Sequence, residues 1–265
     1  MNSTDVKEIV KEKYGEIATK STSSCGCECG SSNNKIVDYT IMSDDYKNVE
    51  GYVADADLNL GCGMPTEYAA IKEGDTVVDL GSGAGNDVFI ARAITGEKGK
   101  VIGIDFTPEM IEKANRNNQK LQYSNVEFKL GEIEEMPLNE NTADVVVSNC
   151  VLNLVPNKQK AFSEIYRILK PGGHFCVSDI VIKGNLPENL KKSAEMYAGC
   201  ISGAVQHDEY LGIIKETGFR NIEIKKTKTT SIPDDILNNY LNEEQIAELK
   251  KNNFGIFSIT VYAEK

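Results

Sequence analysis

The 265-residue chain is poor in histidine, in positive charge and in long apolar runs. Its histidines are His174 and His207 alone, so chemistry built on several imidazoles, such as a three-histidine metal centre, is excluded. Twenty-nine Lys and Arg stand against forty Asp and Glu, giving a net charge of −11. That is the wrong sign for a protein that must neutralise many phosphates, and nucleic acid is not an expected partner. No stretch approaches the roughly 20 apolar residues of a membrane-spanning helix, and the opening MNSTDVKEIV has no signal-peptide core. A cytoplasmic protein with no membrane partner is expected. Heptads and a long apolar edge are also lacking, so a monomer is expected.

What is present is an ordinary globular composition, 40% hydrophobic and 26% charged, in a length suited to one or two domains. Seven cysteines stand out, because an odd count disfavours a fully paired disulfide framework and leaves thiols for metal, redox or nucleophilic work. With so little imidazole, any metal or metalloid site must rest on sulfur.

Residues 1–20 carry Val6, Ile9, Val10, Tyr14 and Ile17 at helical spacing, which predicts an amphipathic lid. STSSCGCECGSSNN follows, too polar to fold on its own, and reads as a flexible arm bearing Cys25, Cys27 and Cys29. ADLNLGCGMP reads as a loop and TEYAAIKEG as a short helix ended at Gly74. Strands TVVDL, KVIGIDF, VEFKLGE, ADVVVSNC and HFCVSDIVI then alternate with helices NDVFIARAIT, TPEMIEKANRNNQK (Thr107 as N-cap) and KQKAFSEIYRILK, the fifth strand entered through a Pro171-Gly172-Gly173 turn. A helix NLKKSAEMYAGC, the segment ISGAV and a helix DEYLGIIKETG interrupt the alternation before two last strands, FRNIEIKKT and IFSITVYAEK, the final one antiparallel. The expectation is a doubly wound α/β fold with a mostly parallel, seven-stranded, Rossmann-like sheet. Its expected divisions are 1–34 for the N-terminal helix and Cys-rich arm and one domain over 35–265, made of a substrate loop and helix (35–73), a cofactor-binding core (74–183), a substrate insertion (184–207) and the last helices and strands (208–265).

Gly81, Gly83 and Gly85 follow the first strand at once, where a turn without Cβ atoms lets a cofactor approach a helix N-terminus. Asp105 ends the second strand, placed to accept hydrogen bonds from both hydroxyls of a ribose. A dinucleotide fingerprint would need another glycine where Asn86 stands, next to the acid Asp87. Asp79 and Asp87 would repel a pyrophosphate but suit an ammonium or sulfonium, which favours S-adenosylmethionine over NAD. Glu132 and Ile133, beyond the third strand, stand where an adenine should lie, Glu132 as a partner for its amino group.

The succession VVDLGSGAG, IGIDFTPEMIEKA, ADVVVSNCVLNL and RILKPGGHFCVSD resembles the class I S-adenosylmethionine-dependent methyltransferases over about residues 74–183. KEKYG, LNLGCGMP around Cys62, SNCVLNLVPNK around Cys150 and AGCISGA around Cys200 are similar, more closely, to the arsenite methyltransferases, which extends the resemblance to most of the chain. The resemblance implies Tyr14, Gly81, Ser82, Asp105, Phe106, Glu132, Ile133 and Asn149 around the cofactor, and arsenic detoxification as the role. Family members often carry an acid before the third cysteine; here the residue is Gly199.

Taken singly, each cysteine fits a buried core position. Topology puts Cys150 at the carboxyl edge of the sheet, where ligands bind. Cys62, between two glycines, has little apolar surface nearby in sequence, and Cys150 follows polar Ser148 and Asn149, so a core role fits both poorly. Cys176, inside an apolar strand, is expected to be packing. The family likeness selects Cys62, Cys150 and Cys200, whose thiolates suit trivalent arsenic as a thiol-bound substrate with a nucleophilic lone pair. After methyl transfer two thiols, Cys62 and one of Cys25, Cys27 or Cys29, are expected to return the arsenic to its trivalent state by closing a disulfide, and a thiol reductant, with thioredoxin or small thiols as partner, to reopen it. The competing readings are a methyltransferase of an organic acceptor such as a quinone precursor, and an arsenic-binding protein without turnover.

Overall fold

The computed structural model describes residues 3–20, 44–185, 187, 203–230, 237–239, 241–251 and 254–265. Met1 and Asn2, the arm with Cys25, Cys27 and Cys29, the helix NLKKSAEMYAGC with Gly199, and the third selected cysteine, Cys200, lie outside them.

Strands β1 (Thr76–Leu80), β2 (Lys100–Asp105), β3 (Val126–Leu130), β4 (Ala143–Asn149), β5 (Leu169–Lys183), β6 (Arg220–Thr230) and β7 (Gly255–Glu264) form one seven-stranded sheet in the order β3-β2-β1-β4-β5-β7-β6. β1 to β5 run parallel, and β7 enters antiparallel between β5 and β6. This is the expected doubly wound sheet. Alternation along β1 sends Val78 and Leu80 to one face and Val77 to the other.

The first face is covered by α5 (Lys158–Ile168) and α6 (His207–Thr217), through Phe162, Ile165, Tyr210 and Ile214. The second meets α3 (Asn86–Thr95), whose Val88 and Phe89 pack on Val101 and Val145, and α4 (Pro108–Leu121) lies beside β3. α1 (Ser3–Lys20) lies against α4, where the buried Lys113 donates from Nζ to Ala18 O at 3.3 Å.

Three elements differ from the sequence reading. The short helix α2 covers only Pro65–Tyr68, because Ala70 takes a left-handed φ of 49° and ends it before Gly74. Pro171-Gly172-Gly173 does not precede β5 but lies within it, as a bulge: β4 pairs Ala143 with Leu169 and then Val145 with His174. A Cβ on Gly173 would stand 2.8 Å from Asp144 O, so this bulge has no room for a side chain. Helix α7 (Glu243–Lys251) is the third, in a stretch where the apolar positions do not announce it. Its Ile246 and Leu249 join Leu237, Leu241, Ile180, Ile182 and Ile256 in an apolar cluster that also holds Cys62 and Cys150.

Candidate functional site

In the strand order the chain steps away from β1 in both directions, so β1 and β4 bound the crevice where a doubly wound sheet binds its ligand. A cavity occupies this place. It is lined by the Gly81–Gly83 turn after β1, by Asp105 and Phe106 after β2, by Glu132 and Ile133 after β3, by Asn149 and Cys150 at the end of β4, and by Lys7, Val10 and Tyr14 of α1.

Each glycine of the turn has its own reason. Gly81 has φ of 68°, and a Cβ there would meet the Val151 side chain at 2.4 Å. Gly83 has φ of 51°, and its missing Cβ would meet nothing nearer than Met110 Sδ at 4.0 Å, so this position opens the turn to a ligand. Gly85 (φ 101°) serves packing: its Cβ would strike Phe128 and Phe89 at 2.9 Å, and it is not among the cavity-lining residues, contrary to its expected place at the cofactor.

Three acids are buried here: Asp79, Asp87 and Asp105. Burial pushes the Asp79 carboxyl well above its ordinary range, with help from the charges of Asp87 and Asp105. Burial also lifts Asp87 to about 6, against hydrogen bonds from Asn149 and Tyr46 that pull it down. Asp105 is raised by burial but restrained by backbone donors; its Oδ2 accepts from Gly83 N at 2.9 Å and its Oδ1 from Thr107 N at 2.8 Å. Asp105 therefore holds the glycine turn from the cavity wall. Three carboxyls crowded in a poorly solvated cavity favour a cation, since each anion left alone is costly to bury. Ser82 Oγ and Asn86 Oδ1 are buried there without a hydrogen-bond partner among the described residues. Orphaned polar atoms, an open glycine turn and an acidic wall fit an aminoacyl sulfonium nucleoside.

Behind the cavity lies the thiol region. Cys150, at φ of 60°, is strained into the left-handed region and anchored by its N–H, which donates to Ser178 O at 2.7 Å. Its side chain lines the cavity and is 6% exposed; Cys62, 1% exposed, does not reach the lining. Both thiols belong to the apolar cluster capped by α7. The expectation that a core role fits both poorly is thus corrected: apolar surface comes from Val10, Leu154, Ile180, Leu237, Leu241 and Ile256, all far from Cys62 in sequence. Both also lie close enough to the Tyr210 hydroxyl to help raise its pKa, after burial and the Asp179 carboxylate. Among the described residues, no group of three His, Cys, Asp or Glu could hold a metal. Cys176 is fully buried, its thiol pushed up to about 12 by burial, as suits the packing role expected of it.

The GCG sequence has a steric cause. A Cβ on Gly61 would stand 2.6 Å from Asn149 Nδ2, and one on Gly63 2.5 Å from Ser178 Oγ. Only glycine lets the Cys62 loop press so closely on β4 and β5. Cys62 N donates to Asn149 Oδ1 at 3.0 Å, and the Cys62 carbonyl accepts from Ser258 Oγ.

Sequence reasoning misses Lys7, Tyr46, Asp179 and Tyr210. Lys7 pairs with both Glu132 and Glu134, fastening α1 over the cavity mouth. Tyr210 donates to Asp179 Oδ2 at 3.2 Å beneath the thiols, and burial lifts Asp179 to about 7. No spacing signals Tyr46 or Lys7, which meet the site only through tertiary contacts; Asp179 and Tyr210 sit in apolar patterns that read as core.

The methyltransferase domain family matches residues 71–218. An arsenite methyltransferase of Halobacterium salinarum is 40% identical over 241 residues, covering 87% of this chain and 62% of its own length. The human arsenite methyltransferase is 37% identical over 168 residues, covering 60% of this chain and 44% of its own. The chain therefore spans less than two thirds of these curated relatives. Among solved structures, an arsenic (III) S-adenosylmethionine methyltransferase from Chlamydomonas reinhardtii superposes with a TM-score of 0.65 at 32% identity, covering 77% of this chain and 67% of the other.

Proposed function

The chain belongs to the methyltransferase family, within it to the arsenite methyltransferases, and from that premise we propose that it moves a methyl group from S-adenosylmethionine to trivalent arsenic held by cysteine thiolates. The observation that carries this reading is Cys150: it ends β4 at the switch point, lines the cavity suited to a sulfonium nucleoside, and shares an apolar cluster with Cys62.

In this reading the turn Gly81-Ser82-Gly83 receives the aminoacyl end of the donor. Asp79 and Asp87 face its positive charges, and Asp105 takes the ribose hydroxyls. Ile133 and Phe106 flank the adenine, Glu132 accepts from its amino group, and Tyr14 and Asn149 complete the walls. When bound, the donor supplies an electrophilic methyl group whose sulfur leaves as a neutral thioether.

Cys62, Cys150 and Cys200 hold the arsenic as thiolates and orient its lone pair toward the methyl group; alignment is the main contribution of the protein. Arsenic carries no proton to remove, so the residues need supply no general base. Thiol protons must be displaced on binding, so arsenic affinity falls in acid. Residues 35–73 and 184–207 serve the substrate and 74–183 the donor. The product arsenic is pentavalent, and two thiols return it to the trivalent state by closing a disulfide, with Cys62 and the Cys25, Cys27 or Cys29 arm as donors and thioredoxin or small thiols as external reductant. A reducing cytoplasm and a monomeric state belong to the same proposal. Among the described residues no helix is long and apolar enough to cross a membrane.

Incubation with arsenite, a thiol reductant and S-adenosylmethionine tests this. Methylated arsenical and S-adenosylhomocysteine should appear together, falling about a hundredfold in Cys150→Ser through lost alignment and persisting in Cys176→Ser. Bound arsenic without either product would favour the non-catalytic reading. Turnover of an organic acceptor that survives Cys150→Ser would favour that competitor.

A further inference from the structure

The chain turns sharply where β4 ends, and three successive residues of β5 hold the turn. Cys150 N donates to Ser178 O at 2.7 Å, the Asp179 carboxyl accepts from the backbone N–H of Asn153, and Asn153 Nδ2 donates to Ile180 O at 2.7 Å. In a parallel ladder the carbonyls of Ser178 and Ile180 face the same neighbour, so Ile180 O would ordinarily be taken by the N–H of Leu152, two residues beyond Cys150. The side-chain amide of Asn153 takes that rung instead, and β4 stops. Cys150 adopts its left-handed φ of 60°, and the short 3₁₀ turn Leu152–Leu154 follows.

A left-handed residue other than glycine persists only where its surroundings over-determine it. Here they do so with buried polar groups. Asn153 is fully buried, yet its Oδ1 has no hydrogen-bond partner among the described residues, so the amide is kept at a cost for what Nδ2 does. Lys158, itself buried, closes the other end of the turn: its Nζ stands 3.3 Å from Val155 O and 3.5 Å from Asn153 O. Were β4 to run on as a strand, alternation would send residue 150 to the face of Val146, under α5 and α6 and away from the cavity.

We propose that Asn153 is a positioning residue for Cys150: its side chain replaces a backbone rung of the sheet, ends β4 at the thiol and keeps that thiol at the cavity, with Lys158 bracing the same turn. The inference rests on the reading of Cys150 as an arsenic ligand. Asn153 is not among the residues that line the cavity, so it acts through Cys150 and not on the reacting atoms.

A double-mutant cycle on arsenite affinity tests this, with the full chain, reduced, in equilibrium dialysis. Asn153→Ala should raise the arsenite Kd about fivefold where Cys150 is present, the effect of one hydrogen bond. In a Cys150→Ser background it should change the Kd less than about twofold, because the group it positions is gone. A merely structural residue would weaken binding equally in both. Peptide-resolved alkylation by iodoacetamide, without arsenic, is the second readout: Asn153→Ala should speed Cys150 about fivefold and leave the packed Cys176 unchanged. Should Asn153→Ala fail to fold, Lys158→Met, which keeps the stem and loses the donors, makes the same comparisons with the same expected pattern. Equal losses in both backgrounds, no loss in either, or Cys176 speeding up alongside Cys150 would overturn the proposal. The two readings fail separately. A Cys150 that responds to Asn153→Ala in a chain that neither binds nor methylates arsenic sinks the proposed activity alone, and methylation in a chain whose cycle is additive sinks the positioning alone.

Discussion

Gly63 shows how little freedom the thiol loop has. An added Cβ would lie 2.5 Å from Ser178 Oγ and 3.4 Å from Thr260 Oγ1, whose hydroxyls already bond each other at 2.9 Å. Gly63→Ala should therefore destabilise the fold by about 1–3 kcal/mol and weaken arsenite binding. Gly212, inside α6 with nothing within 4 Å of its absent Cβ, is the contrast. Gly212→Ala should be neutral or stabilising by up to about 1 kcal/mol; urea unfolding of the two variants measures both. Asp179 carries a pH signature. Its carboxyl rises from an ordinary 3.8 to about 7 through burial, so between those values the folded chain holds a proton that the unfolded chain releases. Stability from this group is full below pH 3.8 and is lost as pH rises toward 7. Asp179→Asn removes the charge while Tyr210 turns from donor to acceptor, so it should raise Tm by several degrees at pH 8 and much less at pH 5. A deficit of equal size at both values would show that the carboxylate is needed as an acceptor and not merely tolerated. Much of this was visible as residue type and little as environment. Cys150 could be placed because it ends a strand. The apolar setting of Cys62 could not, because Leu237, Leu241 and Ile256 reach it from the other end of the chain.

Among the elements, β1 to β5 and helices α3 to α5 are legible because their patterns are local: β-branched runs for strands and, in α5, Ala161, Phe162, Ile165 and Ile168 on one face. The bulge in β5 is illegible, since Pro and Gly signal a break without saying whether the strand resumes in the same ladder. Helix α7 escapes notice because it starts with Glu243 and Glu244 and owes its burial to a cluster it joins from outside. Helix α1 is the element with a functional prediction. It offers Val10 and Tyr14 to the cavity and is fastened by Lys7 to Glu132 and Glu134. Ion pairs from the partly exposed Lys7 contribute about 0–1 kcal/mol, whereas the half-buried ring of Tyr14 contributes more. Tyr14→Ala should then raise the donor Kd about tenfold, and Lys7→Gln by less than about fivefold, by equilibrium dialysis. If Lys7→Gln has the larger effect, the helix is held electrostatically and the packing argument is wrong.

At the scale of the whole molecule, the antiparallel β7 does more than complete the sheet. It brings Ser258 to the Cys62 carbonyl and Thr260 to Ser178, so the last strand of the chain braces a loop nearly two hundred residues earlier. Donor cavity and thiol cluster share one wall, formed beyond the paired carboxyl ends of β1 and β4. On the proposed function, three cysteines bring one arsenic atom to that wall. X-ray absorption at the arsenic edge, on the full chain loaded with arsenite, tests it most directly. Three sulfur neighbours are predicted for the parent protein, and two sulfurs with one oxygen for Cys62→Ser, Cys150→Ser and Cys200→Ser alike. An unchanged sulfur count in the Cys62 or Cys150 variant, or an oxygen-only shell in the parent, would contradict the account.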